Sequence, residues 1–173
     1  MVEHERIRSG RSSSTSMVII DAQSVKNTET AHLKGYDAGK KVSGIKRHIA
    51  VDTNGLPHAI HITTANTTDR AGAIEMTGKS AQNLTTVKKV LVDGGYTGEP
   101  FRVSMRETLG AEVEVAKRNE LHTFKVIPQR WVVERSLSWL EKCRRLWKNC
   151  ERLVTSSIGM MQLVFIRILL KRI

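Results

Sequence analysis

Val18, Ile19 and Ile20 run straight into Asp21, and Met17–Val25 has the apolar density of a buried strand. Asn27 to Gly44 is polar and contains glycine, so it reads as loop. Ile45–Thr53 and Leu56–Thr64 are two strand-like runs flanking Asn54-Gly55, a dipeptide that between apolar runs is the strongest short hairpin signal. In the second run Pro57, Ala59 and His61 alternate with His58, Ile60 and Ile62. Asn66-Thr-Thr-Asp69 offers an N-cap for a helix over Arg70–Ala81. Val87–Val92 predicts another strand, ended by Asp93-Gly94-Gly95. Glu99–Leu109 predicts a helix that Gly110 stops, and Ala111–Ala116 alternates as a strand. A long helix is expected from about Gln129 to Asn149, and a second over Ser156–Lys171. Residues 1–16 close on Arg-Ser-Ser-Ser-Thr-Ser without an apolar period, so they read as a linker or frayed end before one domain over 17–173.

The order is strand, hairpin, helix, strand, helix, strand, helices. An antiparallel three-strand start followed by alternating units makes an α/β fold with a mixed sheet and helices outside. It is compatible with a ribonuclease-H-like core. The only strongly apolar stretch, Ile158 to Leu170, is interrupted by Gly159, Gln162 and Arg167 and falls short of the roughly 20 residues a spanning helix needs. A soluble protein with no membrane partner is expected.

Charge sharpens the picture. The 173 residues carry 28 Lys+Arg against 17 Asp+Glu, a formal net charge of +11, which favours a polyanionic partner, nucleic acid first. Residues 117–173 alone hold 13 basic and 4 acidic side chains. A smaller knot comprises Lys34, Lys40, Lys41, Lys46 and Arg47, opposed by Asp37. Two cysteines, Cys143 and Cys150, lie about 10.5 Å apart along the expected long helix. That is too far for a disulfide, and with only His122 in reach zinc is not expected.

Three carboxylates stand out. Asp21 lies inside an apolar strand, where a buried charge is costly unless paired or metal-bound. Asp93 ends Val-Leu-Val and meets two glycines that permit a sharp turn at the sheet's edge. Glu134 follows Val133 on the expected long helix. There Val133, Leu137, Leu140 and Trp147 form an apolar stripe, with Glu134, Ser138, Glu141 and Arg145 beside it. Three such groups at one spot suit Mg²⁺ or Mn²⁺, and two ions would suit phosphodiester displacement. Spacing alone leaves the plainer readings open, since Asp before Gly-Gly is ordinary turn chemistry and Glu beside Arg is ordinary helix surface.

Four segments carry a family resemblance: Ile20-Asp-Ala-Gln-Ser-Val-Lys26; Gly35-Tyr-Asp-Ala-Gly-Lys-Lys41 with Lys46-Arg-His48; Leu91-Val-Asp-Gly-Gly-Tyr-Thr-Gly98; and Arg130-Trp-Val-Val-Glu-Arg-Ser136. In this order they resemble the DDE transposases of bacterial insertion sequences, in the insertion-sequence-five branch, from about Val18 to the C-terminus. The resemblance implies a ribonuclease-H-like fold and metal-dependent cleavage and joining of DNA at transposon ends. It makes Asp21, Asp93 and Glu134 the catalytic, metal-holding residues, with Mg²⁺ or Mn²⁺, two ions, as cofactor. Arg130, Lys142 and Arg145 would meet DNA phosphates, joined by Arg135 and by Lys40, Lys41, Lys46 and Arg47 of the basic knot. Expected partners are transposon-end and target DNA and further copies of the chain on that DNA, in the bacterial cytoplasm at the nucleoid.

The chain departs from the family pattern at Ile45, where an arginine is usual, and at Ile127, where an aromatic is usual. Only about 17 residues precede the first strand, where such proteins carry a helical DNA-binding region. That suggests either a downstream reading frame, partnered by an upstream-frame DNA-binding polypeptide, or a truncated copy. The remaining residues read as structural: His58 and His61 on opposite strand faces, and Trp131, Trp139 and Trp147 as packing. The competing functions are a same-fold nuclease that cuts without joining and an inactive DNA-binding remnant. A basic ribosomal or chromatin protein would not need the three acids.

Overall fold

The computed structural model describes residues 1–116 and 130–171. Ile127, His122, the expected helix start at Gln129 and the Arg130 side chain lie outside that description. In chain order the elements are α1 (Val2–Arg8), β1 (Met17–Lys26), β2 (Gly35–Asp37), β3 (Val42–Val51), β4 (Pro57–Thr64) and α2 (Asp69–Lys79). Then come β5 (Lys89–Val92), α3 (Glu99–Leu109), β6 (Glu112–Val115), α4 (Arg130–Glu141) and α5 (Val154–Leu170).

One six-stranded mixed sheet organises the chain. Its path is β2-β3-β1-β5-β6, with β4 also paired to β3. β1 is antiparallel to β3 and parallel to β5, and β5 is parallel to β6. Period-two alternation divides the strand residues between two cores. Ile19, Val25, Ile45, Ile49, Ile62 and Leu91 pack beneath Val133, Leu137 and Leu140 of α4 and Met161, Val164 and Phe165 of α5. Val18, Ile20, Ala50, Val90 and Val92 pack on the other face against Ala73 and Met76 of α2 and Phe101 and Met105 of α3.

Several local signals act as their chemistry requires. Thr68 caps α2 through its hydroxyl, which accepts from Ala71 N at 3.2 Å. Gly110 ends α3 in the left-handed conformation at φ 63°. The β3–β4 turn is more specific than a two-residue Asn-Gly loop. Gly55 adopts φ 79°, whereas Asn54 does not have a positive φ, so the mirror-image turn that needs both is absent. Instead Asp52 organises the loop, its Oδ1 accepting from Asn54 N at 2.9 Å and Leu56 N at 3.0 Å.

Four expectations are corrected. Residues 2–8 form a helix rather than a frayed end, held by Arg6, which bonds Ser12 O, Ser14 O and the buried Asp52 carboxylate. The segment 27–44, read as loop, contains β2 and the start of β3. The helix expected to reach Asn149 stops at Glu141, so Cys143 and Cys150 are both free thiols beyond it rather than two positions on one helix. Trp147 is 61% and Trp131 47% exposed, so neither is core; Leu146 is buried in place of Trp147.

Candidate active site

The parallel ladder between β1 and β5 pairs Met17 with Lys89, Val18 with Val90 and Ile19 with Leu91. Asp21 and Asp93 each lie two residues beyond the last paired position, Ile19 with Leu91, Asp93 just after β5 ends and Asp21 within β1. Clefts outside the carboxyl ends of parallel strands are where α/β sheets place their chemistry. Asp21 Oδ1 accepts from Ala22 N at 2.7 Å. Asp93 is extended and caps a 3₁₀ turn over Gly94–Tyr96, its Oδ1 accepting from Gly95 N at 2.8 Å. Neither glycine of this turn has a positive φ. What Gly95 provides is room, since a Cβ there would stand 3.0 Å from Asp93 Oδ1.

Tyr96 closes the turn and joins the core between the sheet and helices α2 and α3. Its ring packs on Phe101, centroids 5.5 Å apart, and the residue is 1% exposed. Burial raises its pKa well above the ordinary value, and the charges of Asp21, Asp69 and Asp93 raise it further. Asp69, which the sequence reading passed over, therefore belongs to this acidic neighbourhood. It opens α2 and pairs with Lys46 Nζ at 2.8 Å and Lys40 Nζ at 3.8 Å. Its only sequence signal is the position after a Thr-Thr cap.

Glu134 lies on α4, which covers the face of the sheet that carries Ile19 and, two residues on, Asp21. It is exposed. Glu141, two turns later on the same side of the helix, accepts from Gln23 Nε2 at 2.7 Å, tying α4 to the strand of Asp21. Among the described residues, no group of three or more His, Cys, Asp or Glu is close enough to hold a metal ion. Asp21 and Asp93 each follow the β1–β5 ladder by two residues, and Glu134 stands on the helix that covers that face of the sheet. Two carboxylates still fit a divalent cation chemically, because they offer the hard oxygen donors that such a cation takes.

The basic residues divide. Lys46 and Arg47 are neighbours in sequence but point to opposite faces, and both are buried, which removes them from the expected basic surface. Lys46 reaches Asp37 at 3.2 Å and Thr67 O at 2.7 Å. Asp37 lies far below the usual carboxylate range, chiefly because Ser24 Oγ donates to it, with Lys40 N and Lys46 adding to the effect against burial. Arg47 is 1% exposed, and burial lowers its pKa to about 10 against the opposing charge of Glu141. Lys40 reaches Ala22 O at 3.3 Å, directly beside Asp21, and Lys41 is exposed. Arg135 stacks on Trp131 and Trp139, 4.5 and 4.9 Å from the ring centroids, and Arg145 pairs with Glu151 at 2.5 Å. Lys142 lines a groove of about 420 Å³ with Trp139, Arg167 and Lys171.

A family model described as the transposase DDE domain matches residues 12–169. The chain belongs to the DDE transposase family. A Burkholderia cepacia protein described as a transposase for insertion sequence element IS402 is 35% identical over 116 residues, covering 63% of this chain and 54% of its own length. The chain thus spans about half the length of that curated relative. Two solved structures share the fold at 14% identity, each over 88% of this chain. A chain of the simian T-cell lymphotropic virus intasome, solved in complex with a PP2A regulatory subunit, aligns with TM-score 0.56 over 47% of its length. The catalytic core domain of BIV integrase aligns with TM-score 0.53 over 82%. The DDE transposase chain is therefore ribonuclease-H-like, as its element order led one to expect. Among its described residues no helix is long and apolar enough to cross a membrane.

Proposed function

We propose that this chain is the catalytic domain, over residues 17–173, of an insertion-sequence transposase. It would cleave DNA at element ends and join the freed 3′-hydroxyl to target DNA. The observation that supports the reading is the β1–β5 register, which pairs Ile19 with Leu91, each two residues before Asp21 and Asp93. Asp21, Asp93 and Glu134 would hold Mg²⁺ or Mn²⁺, which when bound supplies Lewis-acid polarisation of a phosphodiester and activation of the attacking oxygen.

The chain's own residues would orient the DNA. Lys40 and Lys41 form a basic lip next to Asp21, and Lys142 with Arg167 and Lys171 forms a second basic edge beyond α4. Phosphate contacts of this kind set register and orientation rather than sequence preference. The simian virus chain of like fold is part of an intasome, and we extend that arrangement to several copies of this chain on DNA.

The test is nicking of supercoiled plasmid with Mn²⁺ or Mg²⁺, together with joining of a labelled oligonucleotide into plasmid. Wild type should nick and join, and Asp93→Ala should lose at least about 100-fold in rate, the scale of removing a principal transition-state contact. Equal nicking by both proteins would refute the site. Nicking without joining would turn the reading to a nuclease.

A further inference from the structure

Tyr96 Oη is a buried hydroxyl with no hydrogen-bond partner. Its ring is fixed against Phe101, and its backbone N–H donates to Asp93 O at 3.1 Å, so the side chain has little freedom to seek a partner elsewhere. Buried polar groups are almost always satisfied, and one left unpaired destabilises the fold that contains it. A phenylalanine would fill the same space without that cost. The hydroxyl is within electrostatic range of Asp21, Asp69 and Asp93, which come from β1, the start of α2 and the end of β5. A buried donor that feels three carboxylates, yet is bonded to none, is open to an acceptor that arrives when the acids change position.

We infer that Tyr96 is a positioning residue of the acidic site, whose hydroxyl donates to Asp21 or Asp93 once a divalent cation is bound, and so fixes which carboxylate oxygens face the cation. This rests on the metal-holding role proposed for Asp21 and Asp93. The hydroxyl is an uncompensated group without the cation and a bonded one with it. Removing it therefore has opposite effects on the two forms, an outcome that ring packing alone does not produce.

The experiment compares wild type, Tyr96→Phe and Asp93→Asn by calorimetric Mn²⁺ titration and by thermal melting with and without Mn²⁺. The expected result for Tyr96→Phe is a metal-free melting temperature equal to or above wild type, with Mn²⁺ affinity down at least about fivefold. Unchanged affinity overturns the proposal, as does a lower metal-free melting temperature without loss of affinity. A wild type that binds no Mn²⁺, or an Asp93→Asn variant that binds like wild type, overturns the metal-holding reading itself, and the Tyr96 role with it. A second measurement leaves position 96 unmutated. The chain has two tyrosines, so 3-fluorotyrosine labelling gives two ¹⁹F resonances, one from exposed Tyr36 and one from buried Tyr96. Mg²⁺ should shift the Tyr96 signal and leave Tyr36 in place; a Tyr96 signal unmoved at saturating Mg²⁺ overturns the proposal.

Discussion

His48 is enclosed between β3 and α2, its Nε2 3.0 Å from Thr63 Oγ1 and its ring so close to Gly72 that a Cβ there would lie 2.1 Å away. Burial lowers its pKa from 6.5 to about 4, with Asp69 opposing the shift. The unfolded chain thus takes up a proton that the folded one refuses. This contribution to stability is fully present above pH 6.5 and is lost as the pH falls towards 4, amounting to about 3 kcal/mol. Urea denaturation between pH 7 and 4 should show the loss, and His48→Gln should flatten it; an equally steep profile in that variant would contradict the assignment. Asp37 and Asp52 act in a lower window, since both are held below the ordinary carboxylate value and lose their contribution only under about pH 4. At this scale the sequence was partly legible. Asp21 and Asp93 stand out in the sequence because a carboxylate within or just after an apolar run is conspicuous. Lys46 and Arg47 were misjudged because charge was counted along the chain, whereas a strand sends consecutive side chains to opposite faces. Asp69 shows only a helix-capping position in the sequence, and Tyr96 only its place after Asp93-Gly-Gly, because their surroundings come from elements that meet only in the folded sheet.

Arg6 ties helix α1 to the β3–β4 turn. It reaches Asp52, which is fully buried there. Burial opposes ionisation of Asp52, but bonds from His58, Leu56 N, Arg6 and Asn54 N outweigh it and keep the carboxyl below its ordinary value. Arg6→Ala leaves that charge with fewer donors, and breaking a buried pair from one side costs about 3 kcal/mol. Chemical denaturation checks this, and a loss under about 1 kcal/mol would show that His58 and the turn amides suffice. The helix was invisible in sequence because seven residues with little apolar period give no pattern, and its partner lies 46 positions away. The early end of α4 was hidden for a related reason, as no Pro or Gly marks it. Asn149 is drawn away to bridge β1, donating to Lys26 O at 2.8 Å and accepting from Thr28 N at 2.9 Å, while Ser157 Oγ binds its side chain at 2.7 Å. Elements with purely local causes, such as α3 between Glu99 and Gly110, match the sequence reading end to end.

For the whole molecule, the surplus of eleven positive charges bears on the DNA binding proposed above. Affinity should fall steeply with salt, by roughly 0.9 in log–log slope for each phosphate contacted. Lys41→Gln should weaken binding uniformly across sequences and reduce the slope magnitude by about 1, measured by fluorescence anisotropy from 50 to 200 mM salt. An unchanged slope would place the DNA elsewhere. The sheet's connectivity has a further consequence, in time rather than in space. β1 meets β3 through residues as close as Lys26 and Gly44, 18 apart, but meets β5 across a constant separation of 72. Closing the longer loop costs roughly 1 kcal/mol more in chain entropy, so the β1–β3–β4 meander is favoured to form before β5 docks. The strand that carries Asp21 is thus expected to be paired with β3 before the docking of β5 completes the sheet next to Asp93.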